Sequence, residues 1–147
     1  MTIAHRAATK ADRDFMIATW SISYKRSHSA GLIQADDWAA VMRPQFEKIL
    51  DRPGMRAILA YEQDSPDFFY GWIAGDTTQT VPIVAYVYVK EAYRLGGIAR
   101  GLFGAFGVDP TKSFTYACKT GIVTELSAKI PFARFNNNDI RYSKRGL

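Results

Sequence analysis

Val87-Tyr88-Val89-Lys90-Glu91-Ala92-Tyr93-Arg94-Leu95-Gly96-Gly97-Ile98-Ala99-Arg100-Gly101-Leu102 joins an apolar strand to a glycine-rich helix that opens near Gly97. This junction has the makings of an anion site. The first N–H groups of a helix have no intrahelical partner, and the helix dipole puts partial positive charge on them. Glycines let the backbone come close to a bound group. Arg94 and Arg100 add full charges on either side. The alternative is an ordinary strand-to-helix turn. Against it stands the cost of Gly101, Gly104 and Gly107 in or near the helix, roughly 1 kcal/mol each relative to Ala, which argues for close packing against a sheet or a ligand.

Upstream, Ile83–Val89 is the longest β-branched and aromatic run. Strict alternation predicts Ile83, Ala85, Val87 and Val89 on one face, with Val84, Tyr86 and Tyr88 on the other. Both faces are apolar, as in a central strand covered on both sides. Two other phosphate-binding patterns are missing. The chain has no Gly-x-x-x-x-Gly-Lys-Ser/Thr, and no Gly-x-Gly-x-x-Gly after a strand.

Further out, Ile3–Arg6 reads as a first strand. A helix is predicted from Lys10 to Tyr24, capped by Thr9 with Asp12 three residues on, and with Ala11, Phe15, Ala18 and Ile22 at helical spacing. A second helical stretch is capped by Asp36 or Asp37 and carries Trp38, Val41, Met42, Phe46 and Ile49. Pro44 should kink it or begin a separate turn. Strands are expected over Arg56–Tyr61 and Phe68–Ala74, with Asp64–Asp67 as the turn between them and Gly75-Asp76 closing the second. Ser113–Cys118 reads as a later strand and Ile122–Lys129 as a helix ended by Pro131. No repeat or linker divides the chain, so residues 1–147 read as one mixed α/β domain with a basic tail from about residue 132.

Arg94-Leu95-Gly96-Gly97-Ile98-Ala99 resembles the Arg/Gln-x-x-Gly-x-Gly/Ala pyrophosphate motif of the GNAT superfamily of N-acetyltransferases. The opening Ile3-Ala4-His5-Arg6-Ala7-Ala8-Thr9-Lys10-Ala11-Asp12 is similar to the strand-to-helix start of many of its members, and the element order agrees over roughly residues 3–130. The resemblance implies a splayed mixed sheet flanked by helices, with acetyl-coenzyme A between two diverging strands. It implies cofactor contacts at Val87, Tyr88, Val89, Arg94, Leu95, Gly96, Gly97, Ile98, Ala99 and Arg100. It also implies direct acetyl transfer to an amine acceptor. The small single-domain type is that of bacteria and their viruses.

Amine attack on a thioester needs a base, stabilisation of the developing oxyanion and an acid for the thiolate. Several relatives carry a Glu or His on the central strand. Here Ile83 and Val84 stand there, and no carboxylate or imidazole occurs between Thr77 and Lys90. Tyr86 and Tyr88 are candidates to line the site and hold a relay water, or else are core aromatics. The slot where relatives place an acidic Tyr falls near Ser127, with Glu125 and Tyr142 as other candidates. The missing base keeps an alternative open: a catalytically weak protein of the same fold that binds a protein or nucleic acid.

Cys118 with His28 or His5 could make a nucleophile only if the tertiary fold brought them together. A buried strand cysteine is the plainer reading. Two histidines and one cysteine give no metal-ligand pattern, so no metal is expected. The single cysteine and the lack of a long apolar run lead us to expect a cytoplasmic protein without a membrane span. Residues 1–89 hold nine basic and ten acidic side chains, and residues 90–147 hold ten and four. The positive field of the second part suits a polyanion such as a phosphorylated cofactor. Arg134, Arg141, Lys144 and Arg145, interleaved with Phe132, Phe135 and Tyr142, leave a nucleic-acid role open as a minor alternative.

Overall fold

The computed structural model describes residues 1–27, 35–109, 114–116 and 133–135. Six strands form one sheet in sequence order: β1 (Ile3–Ala7), β2 (Met55–Glu62), β3 (Ser65–Asp76), β4 (Ile83–Val89), β5 (Phe114–Tyr116) and β6 (Ala133–Phe135). β1 to β4 pair antiparallel, whereas β4–β5 and β5–β6 are parallel. Helices α1 (Arg13–Ser27) and α2 (Ala35–Leu50) cover one face. Helix α3 (Ile98–Phe106) covers the other. The predicted mixed α/β class is the one observed. The predicted helix over 122–129 lies outside the described residues, and β6 falls in a stretch for which no strand was expected.

Each face has its own core. Under α1 and α2 it is aromatic. Trp20 stacks on Phe46 at 4.0 Å and packs against Trp72 and Tyr86. Such pairs add about 0.5–1.5 kcal/mol beyond burial alone. Under α3 it is mostly aliphatic, with Ile58, Ile73, Val84, Val87, Val89, Ile98 and Leu102.

The buried stripe of α1 differs from the expected one. Met16, Ile17 and Trp20 are buried, while Ala11 and Ala18 are exposed and Ile22 is 52% exposed. Both stripes have helical spacing, and the one with the larger side chains removes more apolar surface from water. Pro44 does not divide α2, which runs unbroken from Ala35 to Leu50 with Pro44 on its exposed side. Ser65-Pro66-Asp67, expected as turn, already belongs to β3.

Strict alternation fails in β4. Ala74 pairs with Tyr86 but Gly75 with Val84, so Ala85 is an extra residue. This bulge turns Val84 to the α3 face with Val87 and Val89. Ile83 and Ala85 join Tyr86 and Tyr88 on the α2 side. Glycines admit the close strand contact. A β-carbon on Gly75 would lie 2.1 Å from the Ile83 carbonyl oxygen, and one on Gly71 would lie 2.2 Å from that of Tyr88.

The junction of β1 and α1 is tied by charge. Arg6 donates to both oxygens of the buried Asp12 at 2.9 Å, and the Thr9 amide donates to Asp12 Oδ2 at 2.8 Å. The Arg6 guanidinium, and then the Thr9 amide, hold the Asp12 carboxyl below its ordinary range.

Gly75→Ala should lower stability by more than about 2 kcal/mol in urea unfolding, because backbone must move. Gly104→Ala, where an added β-carbon meets nothing within 4 Å, should raise it by about 0.5–1 kcal/mol. A carboxyl depressed in the folded state stabilises above its unfolded pKa, and that contribution is lost as pH falls through the folded value. Asp12→Asn should therefore cost about 2 kcal/mol at neutral pH, and its stability should fall less steeply below about pH 4 than that of the parent protein.

Candidate functional site

β4 is paired on both sides only at its start. Its parallel register with β5 covers Ile83↔Thr115 and Val84↔Tyr116. Past the bulge, the edge of Ala85–Val89 away from β3 has no described strand beside it.

The chain leaves β4 at Val89, makes a short 3-10 turn over Glu91–Tyr93 and enters α3. Arg94 closes this turn. Its Nε donates to the Val89 carbonyl oxygen at 2.9 Å. Its other guanidinium donors make no bond among the described residues. Leu95 has φ +74° and is 95% exposed. That left-handed backbone costs a leucine about 1–2 kcal/mol. Gly97 follows at φ +82° as the N-cap of α3, with no side-chain cap.

The helix end is open. The first intrahelical bond runs from the Gly101 amide to the Gly97 carbonyl oxygen, 3.0 Å. The amides of Ile98, Ala99 and Arg100 precede it and make no hydrogen bond among the described residues. A β-carbon on Gly97 would meet nothing within 4 Å. Arg100 is exposed and makes no ion pair among the described residues. Three free donors, a helix dipole and two arginines within seven residues suit a multiply charged anion such as a diphosphate.

The turn rests on an aromatic cluster. Tyr93 meets Tyr70 at 4.9 Å and Phe68 at 5.8 Å, both edge to face. The Tyr70 hydroxyl donates to Glu62 Oε1 at 2.9 Å. Burial, then this bond, pushes it up to about 12, so it remains a structural donor at neutral pH.

The two candidate tyrosines of β4 differ. Tyr86 is 1% exposed and lies in the aromatic core with Trp20 and Trp72, at 5.2 and 5.6 Å. Tyr88 is half-buried near the strand end and meets Phe15 at 6.3 Å. Ser127, Glu125, Tyr142, Cys118 and His28 lie outside the described residues. His5 sits beside Gly101, where a β-carbon would come within 3.5 Å of its Nε2. Burial lowers its pKa, which favours the neutral imidazole.

Sequence reasoning passed over Lys90, Phe15, Phe68 and Phe69, which gather around the end of β4. The adjacent Phe68-Phe69-Tyr70 was the available signal. What brings these rings here is a second bulge: Tyr61 pairs with Phe69 and Ala60 with Gly71, so Tyr70 is the extra residue.

No protein-family model and no curated protein matches the sequence. Solved structures do match in fold. An aminoglycoside 6'-N-acetyltransferase from Acinetobacter baumannii aligns at TM-score 0.57 and 14% identity, over 89% of this chain and 90% of its own. The PaiA N-acetyltransferase of Thermoplasma acidophilum, solved with coenzyme A, aligns at 0.54 and 14%, over 92% and 79%. A GNAT-family protein from Desulfovibrio desulfuricans gives 0.46 and 16%, over 71% of this chain and 63% of its own. The chain has a GNAT-like mixed α/β fold.

Arg94→Ala should weaken inorganic pyrophosphate binding by about tenfold in low-salt calorimetry, the worth of one charge-assisted contact. Added salt should narrow that gap.

Proposed function

We propose that this chain is an acetyl-coenzyme A-dependent N-acetyltransferase that moves an acetyl group directly to an amine, with no acyl-enzyme. The observation that carries this reading is the uncapped start of α3 between Arg94 and Arg100. The GNAT-like fold supports it, as does the coenzyme A held by the Thermoplasma structure of the same fold. The residues present fit the cofactor, since the amides of Ile98, Ala99 and Arg100 make no hydrogen bond among the described residues and a β-carbon on Gly97 would meet nothing within 4 Å.

Bound acetyl-coenzyme A supplies the acetyl group as a thioester open to attack by an amine. The three α3 amides would hold its diphosphate, with Arg94 and Arg100 neutralising the charge. Leu95, Gly96 and Gly97 form the turn that presents them. Main-chain groups of Val87, Tyr88 and Val89 would orient the rest of the cofactor and stabilise negative charge as it develops. With no carboxylate or imidazole on β4, the amine proton would leave through water, with the Tyr88 hydroxyl as a candidate anchor. Tyr86 would serve by packing. Ser127 is carried as the candidate acid from the family resemblance alone. A cytoplasmic setting suits this reading.

A second reading is that the same site binds coenzyme A while a macromolecule, protein or nucleic acid, is the partner and catalysis is weak. The lack of a carboxylate or imidazole on β4 favours it.

Coenzyme A should bind in calorimetry at millimolar levels or below, and at about a hundredfold above its Kd should stabilise the fold by about 2.7 kcal/mol. Gly97→Val, which forces a left-handed valine into the open space, should abolish that stabilisation. Thiol release from acetyl-coenzyme A with an amine panel would favour the first reading, and binding without release the second. No heat and no stabilisation with coenzyme A would sink both.

A further inference from the structure

A cavity of about 160 Å³ lies at the opposite end of the sheet from the α3 turn. It is bounded by the β1–α1 connection, the end of α2 and the start of β2. Its walls include Met16, Leu50 and Met55, and Met16 is 1% exposed. Met55 pairs with Asp76, and Asp76 with Ile83, so the cavity sits at the row where β4 begins. The α3 turn follows Val89, where β4 ends. The seven residues of β4, on the order of 20 Å, separate the two rows.

The charge on this lining has one sign. Lys10, Arg13 and Arg56 line the cavity, and no carboxylate does. The three cations differ in what they have left to offer. The Arg56 guanidinium is taken up by the Phe106 carbonyl oxygen and the Thr77 hydroxyl. Arg13 meets Asp51 through Nη1 alone, at 2.7 Å, and its other guanidinium donors make no bond among the described residues. The Lys10 ammonium makes no ion pair among the described residues. Asp12, two residues on from Lys10, is already held by Arg6 and the Thr9 amide. Apolar walls beside two cations with unused donors make a site for an anion that also has an apolar body.

We infer that this cavity binds a small monocarboxylate with an apolar body of about benzene size, its acid group taken by Lys10 and Arg13 and its body by Met16, Leu50 and Met55. A cavity of roughly 150 Å³ is enough to hold benzene. A guanidinium and an ammonium both form charge-assisted bonds to a carboxylate. A bare phosphate covers none of the apolar wall, and a cation meets like charge with no carboxylate to answer it. The site is separate from the α3 turn and needs no coenzyme A.

The test is an NMR titration of the full chain, isotope-labelled at its methionine methyl groups. Of the four methionines, Met16 and Met55 line the cavity, and Met1 and Met42 do not. Benzoate should shift the Met16 and Met55 signals saturably and leave the other two in place. Benzyl alcohol, its uncharged counterpart, should bind about tenfold more weakly. Inorganic phosphate should leave both signals unmoved where benzoate saturates them. Lys10→Gln should weaken benzoate about threefold, as for an exposed pair. Arg13→Gln should weaken it about tenfold, with benzyl alcohol changed less than about twofold in either variant. Lys10→Arg should keep the affinity. Arg13→Gln also strands Asp51, so each variant is melted first, and exposed Lys10 carries the test if Arg13→Gln is unfolded. Coenzyme A added to the benzoate-bound protein should not displace benzoate. The absence of a saturable shift at Met16 and Met55 overturns the site, and displacement by coenzyme A overturns its separateness. Equal affinity for benzyl alcohol, a phosphate shift equal to that of benzoate, or undiminished benzoate binding in Lys10→Gln overturns the carboxylate assignment.

Discussion

β4 lies so close to β3 that no β-carbon fits at Gly71 or Gly75. The rest of the structure depends on this contact. Among the described residues β4 pairs with β3 from Ile83 to Val89 and with β5 at Ile83 and Val84. The contact with β3 also leaves room for Ala85 as an extra residue opposite the Ala74-Gly75 pair. A bulge bends a strand and strengthens its twist. The described pairing to β5 stops at Val84, next to the bulge.

Chain direction does the rest. β4 runs towards the end of the sheet where Val89 and Lys90 lie, and α3 starts from that end. The backbone that leaves the strand must therefore reverse sharply. It does so with Leu95 and Gly97 both at positive φ, tied back by the Arg94–Val89 bond. The strain in Leu95 is small against the apolar burial of Ile98, Leu102, Phe103 and Phe106 that anchors the helix. The result is a helix N-terminus held beside the end of β4.

Charge follows the same axis. Arg94, Arg100 and Lys90 lie at the amino end of α3 with no carboxylate partner among the described residues. At its carboxyl end, the Arg56 guanidinium bonds the Phe106 carbonyl oxygen and lies 4.6 Å from the Phe106 ring centre. A cation at a helix C-terminus complements the dipole and needs no ligand. Cations at the N-terminus oppose it, which makes sense where a bound anion outweighs the repulsion. The two ends of one short helix thus serve different purposes, one closing the fold and the other left open.

Much of this was legible in the residues. The bounds of β4, the start of α3 after Gly97 and the Thr9–Asp12 cap follow from local chemistry: β-branched runs extend, glycine permits positive φ, and a carboxylate three residues on answers a free amide. Local chemistry could not say which of two helical stripes α1 buries, because that depends on what the opposing sheet offers. It could not show that α2 passes through Pro44 unbroken. Nor could it foresee the two bulges, whose cause is the approach of neighbouring strands and not the sequence of either. One bulge moved Val84 across the sheet. The other made Tyr70 an extra residue, next to Phe68, whose ring lies 4.1 Å from the Lys90 ammonium. Sequence alone determined a glycine turn that opens a helix between two arginines. Tertiary structure decided that Tyr86 is core, that Tyr88 lies at the strand end, and that the Lys90 ammonium lies near the rings of Phe68 and Phe15. Those facts are set by distances between residues remote in the chain.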